Sequence, residues 1–348
     1  MRIRAAVRPV MERVAGGHGD GAAQEAPLVL VGLSGGADSL ALAAATVLEA
    51  RDARIRSGAV VVDHGLQEGS AEVASHAAEQ ARWIGLDPVV VRRARIDTAE
   101  AGAAGGLEAA ARRARYAELA EAAAALGAAW ILTAHTRDDQ AEQTLLAIAR
   151  GSGGRSLAGI PGDRRLDGGA TVLRPLLAER FGITRSDTEA ACADLGLRPW
   201  RDPHNEDVAF ARVRVRSEIL PALERALGPG AASGLARTAD LVREDADALD
   251  ALAESLADAL IEHDGASGAA AVLRVPVEPL REQPDALRNR VIRIAAARGF
   301  GSRLSRDQTL AIAALVTAWR GQGRVNVPGV EVAREGGVLV FRVFRPNH

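Results

Sequence analysis

A chain of 348 residues is long enough for about two domains, and 48% hydrophobic content can fill their cores although aromatics make up only 3%. A net charge of −2 excludes a molecule that draws in polyanions by its overall field, so any nucleic-acid contact must rest on local arginine patches. The single cysteine, Cys192, excludes intrachain disulfides and Cys-rich metal sites and counts against sulfur-relay chemistry.

The first segment, Met1 to Ala15, reads as a short amphipathic helix bearing arginines, with no signal-peptide core. A Gly-rich connection over residues 16–26 follows. No apolar run approaches the ~18–20 residues of a membrane span, so a cytoplasmic chain without membrane contact is expected.

Leu28-Val29-Leu30-Val31 reads as a buried strand and Leu40 to Ala45 as a helix. Between them stand Ser34-Gly35-Gly36-Ala37-Asp38-Ser39. A strand, a Gly-rich turn and a helix aim free backbone N–H groups at an anion. The glycines admit a phosphate close to the backbone, the serines add hydroxyls, and Asp38 is a candidate ligand for a phosphate-bridging Mg²⁺. The P-loop of ordinary NTPases needs a lysine on the phosphates. This chain contains no lysine, so a Walker-type site is excluded.

Further along, Ala59 to Val62 is a second buried strand ending at Asp63-His64-Gly65-Leu66, and residues 71–85 are helical. Pro88 to Val91 is a strand, Glu108 to Leu126 a long Ala-rich helix, Trp130 to Thr133 a strand ending at His135, and Asp138 to Ala149 a helix. Alternating strands and helices predict an α/β fold with a doubly wound, mostly parallel sheet, whose ligands sit at the carboxyl ends of the strands. Ser34, Asp63 and His135 mark three such ends and are expected at one cleft. A helix at 184–195 and an irregular segment through Trp200, Arg201 and Asp202 to Asn205 complete this half, which spans 27–225. From 226 to 348, helices at 232–262, 285–298 and 305–319 precede short strands at 325–327 and 338–341, predicting a smaller α+β domain.

Three constellations carry further chemistry. Asp139 and Glu142 share one face of the helical turn after His135, which suits Mg²⁺ or a cationic amine, and equally suits capping and charge complementarity at a helix start. Glu108, Arg112 and Arg115 lie along one helix face, either as a solvated stripe or as a fixed charged wall. Arg212, Arg214 and Arg216 form a local basic run, either a phosphate-binding patch or a solvent face.

The loop SGGADS (34–39) resembles the pyrophosphate loop of the ATP pyrophosphatase superfamily. With VDHGL (62–66), EAAARRARY (108–116), TAHTRDDQAEQT (133–144), RGSGGRSLAGI (150–160), RPLL (174–177) and DPHN (202–205), in that order, the chain resembles the tRNA(Ile)-lysidine synthetases over about residues 28–225. The resemblance is looser at Val213, a position commonly Asn in that family, and the chain is similar to the short form that lacks an extra C-terminal domain.

The resemblance implies a PP-loop, adenine-nucleotide α-hydrolase-like fold and an ATP-dependent ligation with Mg²⁺. Free L-lysine would join C2 of the wobble cytidine of a CAU-anticodon tRNA(Ile), through an adenylylated tRNA. By similarity, Ser34, Gly35, Gly36, Asp38, Ser39, Asp63, His64 and His135 bind ATP, and Arg112, Asp139 and Glu142 bind lysine and act in catalysis with Asp38. Arg201, Arg212, Arg214 and Arg216 are candidates for tRNA contact, residues 226–348 for a tRNA-binding accessory domain, and a homodimer is left open. The other readings are a different PP-loop tRNA-modifying enzyme, such as a thiolase, or a tRNA binder without turnover; the lone cysteine counts against the thiolase.

Overall fold

The computed structural model describes residues 2–16, 26–65, 67, 69–96, 106–202, 207–264 and 272–344. Most of the Gly-rich connection, Leu66 of the second motif, and His18 and residues 203–206 fall outside them, as does the side chain of Glu108. The chain forms two compact units, Met1–Val242 and Arg243–His348.

The first unit is built on a sheet with strand order β3-β2-β1-β4-β6-β5: β1 (Leu28–Leu33), β2 (Arg56–Asp63), β3 (Val89–Arg93), β4 (Trp130–Leu132), β5 (Asp163–Arg165) and β6 (Thr171–Leu173). All neighbours run parallel except β5, which pairs antiparallel with β6 at one edge. The continuous apolar runs seen in the sequence are explained by burial from both faces, and β1 has hardly any solvent contact. The doubly wound, mostly parallel architecture is the one the alternation predicted. The short β5 and β6 carried no periodic signal.

Helices α1 (Arg2–Gly16), α2 (Ala37–Asp52), α3 (Ser70–Ile84), α4 (Gly106–Leu126), α5 (Arg137–Ala149), α6 (Gly154–Leu157) and α7 (Arg185–Asp194) cover the sheet. Helix α2 is apolar nearly all round because it packs on β1 and also lies against α1, α3 and α7. Helix α1 docks through Ile3, Val7, Met11 and Val14. It is also held by Glu49 of α2, only 2% exposed, which accepts from Arg4 Nε at 2.6 Å and Arg8 Nε at 2.9 Å. Glu49→Ala leaves Arg8 without its acid and Arg4 with Asp52 alone, 3.0 Å away; because both guanidiniums reach solvent, the expected loss is about 1–2 kcal/mol, or ~3–6 °C in Tm, read by thermal denaturation.

After α7 the chain forms α8 (Ala211–Arg214), a π turn (Val215–Ile219), α9 (Leu220–Leu227) and the long α10 (Ala231–Leu260), which the division between the units crosses. The second unit has an antiparallel sheet in the order β7-β8-β11-β10-β9: β7 (Glu262–Asp264), β8 (Val272–Pro276), β9 (Val325–Val327), β10 (Val330–Glu335) and β11 (Val338–Val343). Helices α11 (Val277–Arg281), α12 (Asp285–Phe300) and α13 (Arg306–Thr317) accompany it, and Phe341, Leu273, Leu280 and Ile292 are fully buried in its core. This is the α+β character expected, with β7, β8 and β10 as strands the sequence did not signal.

Candidate active site

The carboxyl ends of β1, β2 and β4 open on one cleft of about 960 Å³, lined among others by Ser34, Gly36, Asp38, Ser39, Asp63, His64, His135 and Asp139. The three strand ends expected to converge do so.

The turn from β1 into α2 is braced from within. Ser39 Oγ donates to Gly36 O at 2.9 Å, and Ser34 N donates to Ser39 Oγ at 3.2 Å. Gly35 has φ +81° and lies against Ala77, whose Cβ a new methyl would meet at 3.2 Å, so no other residue fits without strain. From outside, Trp200 N donates to Gly35 O at 3.0 Å. The Trp200 segment is itself clamped to α3, because Gln80 exchanges two hydrogen bonds with the backbone of Arg198. Helix α2 has no side-chain cap at Gly36, so its first N–H groups remain available to an anion.

Asp38 stands in that first turn. Thr188 Oγ1 donates to its Oδ1, and Arg185 Nε lies 3.8 Å from its Oδ2. Burial pushes the Asp38 carboxyl up to about 6, with Asp139 and Asp138 adding to the shift and Thr188 and Arg185 opposing it. At the β2 end, Asp63 Oδ1 accepts from Gly65 N at 2.9 Å, which fixes the turn. The buried His64 Nδ1 has no hydrogen-bond partner among the described residues. Burial, then Arg115, holds His64 below the usual histidine range. His135 is held well below that range by burial and by Arg174, Arg115 and Arg112, so it is neutral at pH 7. Two uncharged imidazoles and the apolar wall of Val60–Val62 suit a planar heterocycle better than a phosphate.

Across the cleft the two helix starts are stitched together. Arg137 N of α5 donates to Ile183 O at 3.0 Å, and Asp138 Oδ2 accepts from Arg185 N, the first residue of α7, at 2.6 Å. Asp139 shows the capping and charge complementarity that the sequence offered as one of its two readings. Its Oδ2 closes a capping box with Thr136 (2.9 Å to Thr136 N), while its Oδ1 faces Arg212 at 3.0 Å and Arg185 at 3.6 Å. Glu142, with a side chain 1% exposed, accepts from Arg212 Nε at 2.8 Å and from Arg216 Nε at 2.7 Å, with Arg185 3.8 Å away.

The basic run 212–216 is therefore split. Arg212 and Arg216, four apart on one face, turn to the acids, whereas Arg214 donates to the carbonyls of Val208 and Ala209. Arg201 is exposed on the cleft lip. Arg112 does not join Asp139 and Glu142 but stands over the ring of Tyr116, 5.6 Å from its centroid. The sequence reading missed Arg185 and Thr188. Helix start 184–187 carried only a Thr-x-x-Asp capping pattern, and nothing in the spacing brings Thr188 to Asp38.

A PP-loop domain model matches residues 11–223, and a TilS substrate binding domain model matches residues 276–340. The tRNA(Ile)-lysidine synthase of Leifsonia xyli is 54% identical over 90% of this chain and 89% of its own. That of Salinispora tropica is 53% identical over 89% of each, and that of Thermobifida fusca 44% identical over 97% and 96%. The U34-tRNA thiolase NcsA from Methanococcus maripaludis, solved with its [4Fe-4S] cluster, superposes with a TM-score of 0.51 at 17% identity, over 69% of this chain and 80% of that one, which is a likeness of fold alone. With a domain model over more than half its length and relatives above 50% identity along nearly all of it, the chain belongs to the tRNA(Ile)-lysidine synthase family.

Proposed function

We propose that this protein ligates free L-lysine to C2 of the wobble cytidine of tRNA(Ile) with a CAU anticodon, using ATP and releasing AMP and pyrophosphate. Cytidine O2 attacks the α-phosphate of ATP, and the α–β bond breaks as pyrophosphate leaves. A lysine amino group then attacks C2, the C2–O2 bond breaks with departure of AMP, and the amine loses a proton. The observation that carries this reading is the uncapped start of α2 and the carboxylate Asp139 on one cleft in a chain of this family, with Glu142 buried behind Arg212 and Arg216.

The residues divide the work by charge. Backbone N–H groups of 36–39 with the hydroxyls of Ser34 and Ser39 hold the departing diphosphate, a task that needs positioned donors rather than a strong nucleophile. Val60–Val62, Asp63, His64 and His135 take the adenosine. Mg²⁺ fits here: Asp38 is a hard oxygen ligand open to the cleft and short of positive charge, and such an ion, held largely by substrate phosphates, needs only one or two carboxylates. When bound it neutralises phosphate charge. Asp139 offers a negative group for a lysine ammonium, Glu142 adds its charge from behind Arg212 and Arg216, and a guanidinium such as Arg112 suits the carboxylate. Arg185 lies 3.6–3.8 Å from Asp38, Asp139 and Glu142 without hydrogen-bonding any of them through its side chain, so it is a cation that an incoming ammonium can displace. tRNA, ATP and free lysine meet in the cytoplasm, where this reading places the protein.

The test is incorporation of labelled lysine into purified CAU-anticodon tRNA(Ile) transcripts, with AMP and pyrophosphate measured together. Release of pyrophosphate that ignores lysine, or that needs a sulfur donor, overturns the reading. A cluster bound by cysteine thiolates needs several of them, and Cys192 is alone and buried. Asp139→Asn keeps a capping oxygen for Thr136 but turns an amide toward the incoming ammonium. Turnover is expected to fall at least ~10²-fold with the fold intact, checked by lysine incorporation beside a thermal melt.

A further inference from the structure

Tyr116, the only tyrosine in the chain, is the hub of an arginine cluster that the proposed chemistry leaves mostly unused. Arg164 of the edge strand β5 lies 4.8 Å from its ring centroid, Arg112 5.6 Å and Arg115 5.7 Å. The buried Arg174 donates from Nη2 to the Tyr116 hydroxyl at 2.9 Å and from Nη1 to Pro161 O at 2.7 Å, while its buried Nε has no hydrogen-bond partner among the described residues. Burial lowers the affinity of both Arg115 and Arg174 for their protons, and the largest charge effects on them come from Tyr116 and other arginines rather than from carboxylates. Burial alone would raise the Tyr116 phenol, yet Arg174, Arg112 and Arg115 bring it below its usual range.

So many guanidiniums gathered on one ring, with this little compensation, are costly unless an anion joins them. One carboxylate of a free amino acid does not match four cations. The diphosphate end of ATP is served by the start of α2. Arg164 is exposed on the outermost strand of the sheet, reachable by a long polymer from outside, while Tyr116 and Arg115 line the cleft. Guanidiniums stacked on a ring keep their N–H edges free for the paired oxygens of a phosphate. We propose that Arg164 and Arg115, stacked on Tyr116 while Arg174 braces its hydroxyl, form a seat for a backbone phosphate of the RNA strand entering the cleft. The identity of that strand rests on the function proposed above.

The experiment measures binding without turnover: anisotropy of labelled CAU-anticodon tRNA(Ile) against salt concentration, for wild type, Arg164→Ala, Arg164→Lys and the neighbouring exposed Arg165→Ala. Successive strand residues point to opposite faces, so Arg165 is the control. Arg164→Ala is expected to weaken binding at least ~5-fold near ~0.1 M salt and to reduce the salt slope by ~0.7–0.9, with Arg164→Lys restoring most of both and Arg165→Ala matching wild type. The KM for lysine stays unchanged. Wild-type affinity and slope in Arg164→Ala, equal losses in Arg164→Ala and Arg165→Ala, or a raised KM for lysine in place of weaker tRNA binding each overturn the seat. A wild-type protein that binds this tRNA but incorporates no lysine overturns the function and leaves the seat to be decided by the binding data.

Discussion

Asp38→Asn is expected to yield a protein that is more stable than wild type at pH 7.5 and inactive. Burial holds the Asp38 carboxyl near 6, against 3.8 for the free group. Between about pH 4 and 6 the folded state therefore binds more protons than the unfolded one, so stability falls as pH rises through that window and the full penalty persists above it. A shift of about two pH units corresponds to at most ~3 kcal/mol, and because the side chain is 25% exposed, about 1–2 kcal/mol is the reasonable figure. Asparagine carries no charge and keeps an oxygen for the Thr188 hydroxyl. Without nucleotide or Mg²⁺, Tm should rise by ~3–6 °C at pH 7.5, and the gap should close by pH 4. Turnover should drop at least ~10²-fold, because the anion facing the metal and phosphates is gone. A lower Tm than wild type at pH 7.5, or retained pyrophosphate release, would refute the assignment of Asp38 as a functional charge held at a structural cost.

Glu142→Gln should damage both stability and activity. The Glu142 carboxylate is enclosed, and it receives Arg212 at 2.8 Å and Arg216 at 2.7 and 3.1 Å. An amide of the same shape accepts through one oxygen only and sets its NH₂ against guanidinium donors. Arg212 still has Asp139, but Arg216 is left half-buried beside a neutral group. Breaking such a pair costs several kcal/mol in a dry interior; with the arginines about a quarter exposed, about 2–4 kcal/mol is expected. Lysine incorporation should fall at least ~10²-fold. Arg216→Lys, which loses the fork but keeps the charge, should lie between wild type and Glu142→Gln in a denaturant titration. Native stability in Glu142→Gln would show that this carboxylate is not the internal anchor of the acid wall.

Asp139 and Glu142, three apart after a strand-end histidine, were legible as a pair because helical periodicity puts them on one face. Their counter-ions were not. Arg212 and Arg216 were visible as a basic run, yet which of its members turn inward depends on the π turn at 215–219 and on α5 packing against it. Arg185 and Thr188 gave no signal, since their partners are set by how α7 lies across α2. The N-terminal helix was legible, but its anchor Glu49 was not, because one buried acid inside an Ala-rich helix looks like any surface acid.

The amino-acid order alone determined the alternation of apolar strands and helices, the glycine turn after β1, the exclusion of a lysine-dependent phosphate loop, and hence the strand ends at which chemistry had to occur. These follow from local rules: side-chain period, turn stereochemistry and the presence or absence of a functional group. Only the tertiary structure decided which oxygen of Asp139 caps a helix and which faces the cleft, that Asp38 is buried enough to hold its proton up to about 6, and that four arginines from α4, β5 and the turn after β6 gather on Tyr116. Burial and the distance between charges are properties of packing between segments remote in sequence, and electrostatic energies depend on both.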